Sequence, residues 1–236
     1  MTGSPRLSPQ PLLLDLGAAV ASAGFVTLDH QTIIGELEGR VAGAPARAVA
    51  KRRAEFLAGR WAAREALAAL GIEAIPGQSE DGLPLWPVPA TGSITHGADR
   101  ALSAVARRED VRSLGIDAER LMRGAGPELC SRICEQVELA RLERELSLPR
   151  HHALTLAFSA KESLYKCLHP LIGRFMDFHA ARVATVTHSV AGGVLGGELE
   201  LELCVDWSPE FPQGRLFRAP FVVASEHVES AVVLAA

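Results

Sequence analysis

Two carboxylates stand two residues apart in Gly115-Ile116-Asp117-Ala118-Glu119. In a strand, side chains alternate, so Asp117 and Glu119 point to one face and Ile116 and Ala118 to the other. On a solvated face such a pair costs little. In a cleft its repulsion calls for a cation. Oxygen-only donors favour a hard ion such as magnesium, which takes one or two carboxylates, keeps waters and accepts phosphate oxygens. A third acid, Glu162, lies in the stretch FSAKESLYK, residues 158–166, which has helical period and half-apolar surroundings. Glu162 and Lys166 are one turn apart with the acid first, the favourable order. As a solvated pair they would contribute only about 0.3–0.5 kcal/mol. The alternatives are a surface ion pair or part of a metal and phosphate site.

Cations gather in a different stretch. From about Ala46 to Leu70 the sequence has helical period, with Phe56, Ala63, Leu67 and Leu70 on one stripe. Arg60 falls inside that stripe. A charge there needs a partner: an acid in a structural ion pair, or a phosphate, which a guanidinium grips through two hydrogen bonds. Lys51-Arg52-Arg53 and Arg64 make the same helix locally basic. GSITH, residues 92–96, brings Ser93, Thr95 and His96 to a strand end, and Gly92 would let a ligand approach the backbone.

These groups need elements to hold them. The helix at 46–70 stops at Gly71, and the turn-rich stretch 76–92 reads as loop. GSITH and ALSAVARR read as two strands joined by a turn at Gly97-Ala98-Asp99-Arg100, and SLGIDAE as a third. A charged helix is expected from about Pro127 to Leu146, and another over HALTLAFSAKESLYKCLHP, stopped by Pro170. From Ala181 onward the chain reads as strands. FLAGRWAAREAL, from Phe56, and FSAKESLYKCLH, from Phe158, align in phase, and a hairpin pattern follows each. This echo predicts an α+β fold of two pseudo-symmetric halves, residues 1–112 and 113–236, with a ligand cleft between them.

Composition narrows the class. The chain has 236 residues, 48% hydrophobic and 22% charged, as in a soluble globular protein with a sizeable core. A net charge of -4 argues against a dedicated nucleic-acid binder. No run is long enough to span a bilayer. PLLLDLGAAVASA, from Pro11, resembles a signal peptide, but Asp15 interrupts it and only Arg6 precedes it, so it reads instead as a lead-in to a strand at Gly24–Leu28. Cys130 and Cys134 are poorly spaced for zinc; with Cys167 and Cys204 they read as reduced thiols of a cytoplasmic protein.

Taken together and in order, GSITH, GIDAE and FSAKESLYK resemble the signature of 4'-phosphopantetheinyl transferases. The upstream KRRAEFLAGRWAAREAL and GLPLWP are similar to the branch typified by enterobactin synthase component D enzymes and their actinobacterial relatives. The resemblance covers roughly residues 46–170. It implies a pseudo-dimeric α+β fold and transfer of the phosphopantetheine arm of coenzyme A to a serine of an apo carrier protein, releasing 3',5'-ADP. It further implies that Asp117, Glu119 and Glu162 hold magnesium, and that Lys161 and Lys166 contact phosphate and the reacting groups. Arg52 and Arg60, with Arg53 beside them, would bind coenzyme A phosphates, and Ser93, Thr95 and His96 would line the phosphate pocket. Glu162, Lys166 and His96 are the implied catalytic residues. One departure is Asp81, where many relatives carry lysine.

An acidic carrier protein would meet a local basic surface, for which Arg120, Arg123 and Arg132 are candidates. The branch points to siderophore or other secondary metabolism, and the pseudo-repeat to a monomer. The competing expectations are a non-catalytic coenzyme A-binding regulator of a synthase, which would not need the acids, and a magnesium-dependent phosphohydrolase, which would need a positioned water.

Overall fold

A computed structural model describes residues 8–10, 12–26, 29–45, 47–97 and 100–236. Arg6, Pro11, Thr27, Leu28, Ala46, Ala98 and Asp99, on which parts of the expected leader, strand, helix and turn fall, lie outside the described residues. The architecture is mixed α+β. The chain divides into two compact units, Met1–Arg112 with Ala235–Ala236, and Ser113–Leu234.

The first unit opens with β1 (Val20–Val26) and α1 (His30–Leu37). The sequence reading missed α1, yet its start signal is plain: the Asp29 carboxylate accepts from Gln31 N at 3.1 Å and Thr32 N at 3.3 Å. Ile33, Ile34 and Leu37 of α1 are buried, and the helix packs on α2 (Ala50–Ala69). Leu57, Ala58, Ala62 and Leu67 of α2 are fully buried. The expected loop after α2 contains a small ribbon, β2 (Gly77–Gln78) with β3 (Pro84–Leu85), closed by a turn in which Gly82 has a φ of +83°. Next come β4 (Ala90–Gly97) and β5 (Arg100–Arg107), and the order β1-β5-β4 makes an antiparallel sheet under α2. A Cβ at Gly59 would lie 2.8 Å from Ile94 Cγ2, so Gly59 lets α2 approach β4 closely. Gly92 does not open space for a ligand as expected: Trp86 fills it, its Cη2 lying 2.7 Å from where a Cβ would stand.

The second unit begins within β6 (Val111–Arg120). Instead of one helix over 127–146 there are two, α3 (Pro127–Ile133) and α4 (Gln136–Leu146), with Cys134 extended between them at φ -154° and ψ 160°. The break is stabilised from outside: Lys161 Nζ donates to the Ile133 carbonyl at 2.9 Å, satisfying one of the last acceptors of α3. α5 (Arg150–Ile172) runs through Pro170 rather than stopping there. Near the end of a helix, proline removes one hydrogen bond, and the stop falls to Gly173, left-handed at φ +68°, whose N–H donates to the His169 carbonyl at 2.8 Å. β7 (Ala181–Ala191), β8 (Val194–Leu203), β9 (Leu216–Val223) and β10 (His227–Ala235) follow, and the sheet order is β6-β10-β9-β8-β7. α5 packs on this sheet, and Leu142, Leu154, Leu164, Phe211 and Phe221 fill its core.

All four cysteines are free, three of them buried. No helix among the described residues is long and apolar enough to cross a membrane.

Candidate active site

In the second unit the site is built where β6 meets α5. Odd-numbered residues of β6 face the helix. Ser113 Oγ donates to the Cys167 carbonyl at 2.5 Å, and a Cβ at Gly115 would be driven into the Ser163 carbonyl oxygen and lie 2.5 Å from Cys167 N. Glycine at 115 therefore lets the strand lie against the helix backbone, and the same alternation points Asp117 and Glu119 to that side. Lys166 of α5 donates to Asp117 Oδ1 at 2.6 Å and to the Ile116 carbonyl at 3.3 Å. Asp117 is buried, and Glu119 and Glu162 are half-buried.

The electrostatics bind these groups into one cluster. Burial pushes the Glu119 carboxyl up to about 8, the Asp117 charge adds to this, Lys166 opposes it, and Glu162 raises it further. Burial also raises Glu162; Lys166 pulls it down and Asp117 pushes it up. The three acids predicted to act together thus lie within one another's fields, with Lys166 among them. Their chemistry fits a hard divalent cation, because the donors are all oxygen and their repulsion is what a cation would relieve. They do not stand as a finished cage: among the described residues, no three His, Cys, Asp or Glu side chains are gathered so as to hold a metal ion. The ammonium of Lys166 takes the place on Asp117 that a cation would compete for.

Lys161 is committed elsewhere. It is 3% exposed and bonds Ile133 O and Glu138 Oε2, at 2.9 and 3.1 Å. Glu138 Oε1 in turn accepts from Val183 N at 2.9 Å. The expected phosphate contact of Lys161 gives way to a buried ion pair tying α5, α3, α4 and β7. Sequence reading missed Glu138; an acid on the inner stripe of an amphipathic helix, one turn before Leu142, was the available signal.

In the first unit the cations gather around the start of α2. Arg52 Nη1 lies 2.8 Å from His96 Nε2. Arg60 is 5% exposed and stacks over the Phe56 ring at 4.8 Å. Among the described residues no carboxylate comes within ion-pair distance of it. Burial first, then the charge of Arg52, lower Arg60 to about 10. Arg53 turns away to pair with Glu38. Ser93 and Thr95 are buried on β4, and strand alternation sets them on the face opposite His96, so the three do not line one pocket side. Glu55, also missed, is 8% exposed and lies among Lys51, Arg52 and His96. Its i,i+4 spacing from Lys51 was legible in the sequence. Of the basic candidates for docking, Arg123 pairs with Glu226 at 2.9 Å, and Arg120 and Arg132 are exposed.

Comparison with known proteins adds an independent line. Residues 40–106 match the family described as the 4'-phosphopantetheinyl transferase N-terminal domain, and residues 113–208 match the 4'-phosphopantetheinyl transferase superfamily. The chain is 41% identical over 138 residues to enterobactin synthase component D of Salmonella typhimurium, covering 58% of this chain and 56% of that protein. It is 40% identical over 148 residues to 4'-phosphopantetheinyl transferase PptT of Mycobacterium tuberculosis, covering 61% and 63%. It is 35% identical over 164 residues to 4'-phosphopantetheinyl transferase Npt of Nocardia iowensis, covering 68% and 71%. The chain spans about half the length of the enterobactin synthase component D proteins that it matches.

Proposed function

Because the chain belongs to the 4'-phosphopantetheinyl transferase superfamily, we propose that it transfers the phosphopantetheine arm of coenzyme A to a serine hydroxyl on an apo carrier protein, releasing 3',5'-ADP. The observation that supports this reading is the Lys166–Asp117 contact where β6 meets α5, with Glu119 and Glu162 within electrostatic reach of both groups.

Asp117, Glu119 and Glu162 would hold magnesium. When bound, the ion neutralises the diphosphate and polarises the phosphorus under attack. Arg52 and the buried Arg60 grip the donor's phosphates, and Lys166 supplies a cation where charge develops. Serine is a poor nucleophile at neutral pH without a base. Glu162, whose proton affinity burial raises, is the candidate to take the hydroxyl proton. The Lys161 ammonium, held by Glu138 and Ile133, keeps α5 in place and does not touch the donor. Arg52 and Arg60 belong to the first unit, and Asp117, Glu119 and Glu162 to the second. Siderophore or other secondary-metabolite synthases are the class of carrier we favour, supported by the likeness to enterobactin synthase component D.

The direct test mixes the protein with coenzyme A, magnesium and a panel of apo carriers and weighs each carrier. A mass increase of one phosphopantetheine on at least one of them is expected. Carriers left unmodified while free phosphopantetheine accumulates would point to hydrolysis instead. Glu162→Gln should reduce transfer by at least about 10²-fold while melting as the parent does. Near-normal turnover in that variant would remove Glu162 from the mechanism.

A further inference from the structure

Glu55 presents a paradox: a buried acid in the middle of cations that the proposed function needs for phosphate. The contact between Arg52 Nη1 and His96 Nε2, at 2.8 Å, resolves part of it. A guanidinium only donates, so Nε2 must be the acceptor and carries no proton. The imidazole is then neutral, with its proton on Nδ1. Nδ1 lies 3.9 Å from Glu55 Oε2. The same oxygen is 3.9 Å from Arg52 Nη1, and Oε1 is 3.8 Å from Lys51 Nζ. These separations are too long for hydrogen bonds, so the carboxylate acts through its charge, strengthened by burial.

We propose that Glu55 is a positioning residue, whose charge keeps the His96 proton on Nδ1 and so leaves Nε2 bare to hold and aim the Arg52 guanidinium. The order of action is Glu55, His96, Arg52, and then the anion. A carboxylate that orients an imidazole, which in turn orients the ligand-binding group, is a recurrent device at metal sites; here the group oriented is an arginine. Lys51 and Arg52 would otherwise repel each other in the first turn of α2, where the helix's own dipole is also positive. Glu55 offsets that repulsion and holds the free site in its binding form. This inference rests on the reading that Arg52 and Arg60 grip the phosphates of the donor.

Simple charge counting makes the opposite prediction. Removing an acid from a basic cluster should tighten anion binding, whereas removing a positioning acid should weaken it. The test uses the full chain, with inorganic pyrophosphate as the probe. Nitrogen-15 spectra of the imidazoles in the wild-type protein should show a bare Nε2 and a protonated Nδ1 at His96. In the near-isosteric Glu55→Gln variant the two tautomers should mix. Calorimetric titration should show pyrophosphate binding weakened about tenfold, at the lower end of the losses seen when an orienting partner is removed. A protonated Nε2 in the wild-type protein overturns the proposal without any variant. Unchanged or tighter pyrophosphate binding by Glu55→Gln also overturns it. Neither measurement needs a carrier or turnover. If carriers stay unmodified while these results hold, the transfer reading falls and the role of Glu55 stands.

Discussion

Arg60 illustrates how a functional residue differs from a stabilising one. Its guanidinium is almost fully buried, has an aromatic ring against it, and has no acid in range among the described residues. The folded state lowers its proton affinity to about 10, with burial as the largest cause. A base whose folded pKa lies below its unfolded value is charged at a cost in the folded state. That cost is present in full at neutral pH, at about 1.4 kcal/mol for each unit of depression. Arg60→Met keeps the packing on Phe56 and removes the charge. It should therefore melt at a higher temperature than the parent while the KM for coenzyme A rises. A variant less stable than the parent would mean that the charge has a partner. Arg60 was legible in the sequence because it interrupts an apolar stripe. The commitment of Lys161 was not. Lys161 and Glu162 are neighbours about 100° apart on one helix; Lys161 falls on the buried stripe of Ala157, Leu164 and Leu168, and its partner Glu138 comes from a different helix.

Between elements, two contacts fix where the acids stand. The first is the approach of β6 to α5 at Gly115, where a methyl group would meet backbone atoms that cannot swing aside. Gly115→Ala should force the strand off the helix. Transfer should be lost together with stability, by about 1–3 kcal/mol as for other overpacked positions, measured by denaturant melts and carrier modification. Unchanged values would mean that β6 is freer to shift than the contact implies. The second contact is the Lys161–Glu138 pair. Breaking it with Lys161→Met leaves the buried Glu138 carboxylate without its counter-charge, and should cost about 3–5 kcal/mol, whereas Lys161→Met with Glu138→Leu should recover much of the loss. Double-variant melting that is simply additive would contradict the pairing.

Long periodic segments made α2, α5 and the strands β4 to β6 readable from the sequence. The boundary between α3 and α4 was not, because the residue that satisfies the end of α3 lies on α5. The run through Pro170 was not either, since the glycine three residues later decides the stop. The ribbon of β2 and β3 is too short to leave a period.

Across the whole chain, the net charge of -4 is unevenly spread. Each unit carries 12 Lys and Arg, but the first has 12 Asp and Glu and the second 16, so the whole of the net negative charge sits in the unit that carries β6 and α5. Each unit sets a long helix against antiparallel strands. Asp117, Glu119 and Glu162 repel one another and share one lysine, so their function depends on what neutralises them. The claim on which the proposed chemistry turns is that they bind one divalent ion. Manganese, which accepts the same oxygen donors as magnesium and reports its own binding magnetically, gives the direct measurement. Titrated into the protein with coenzyme A present, it should saturate at one ion per chain, and Glu162→Gln or Asp117→Asn should abolish that binding. Saturation that is identical in the two variants and the parent, or no binding by the parent, would contradict the account.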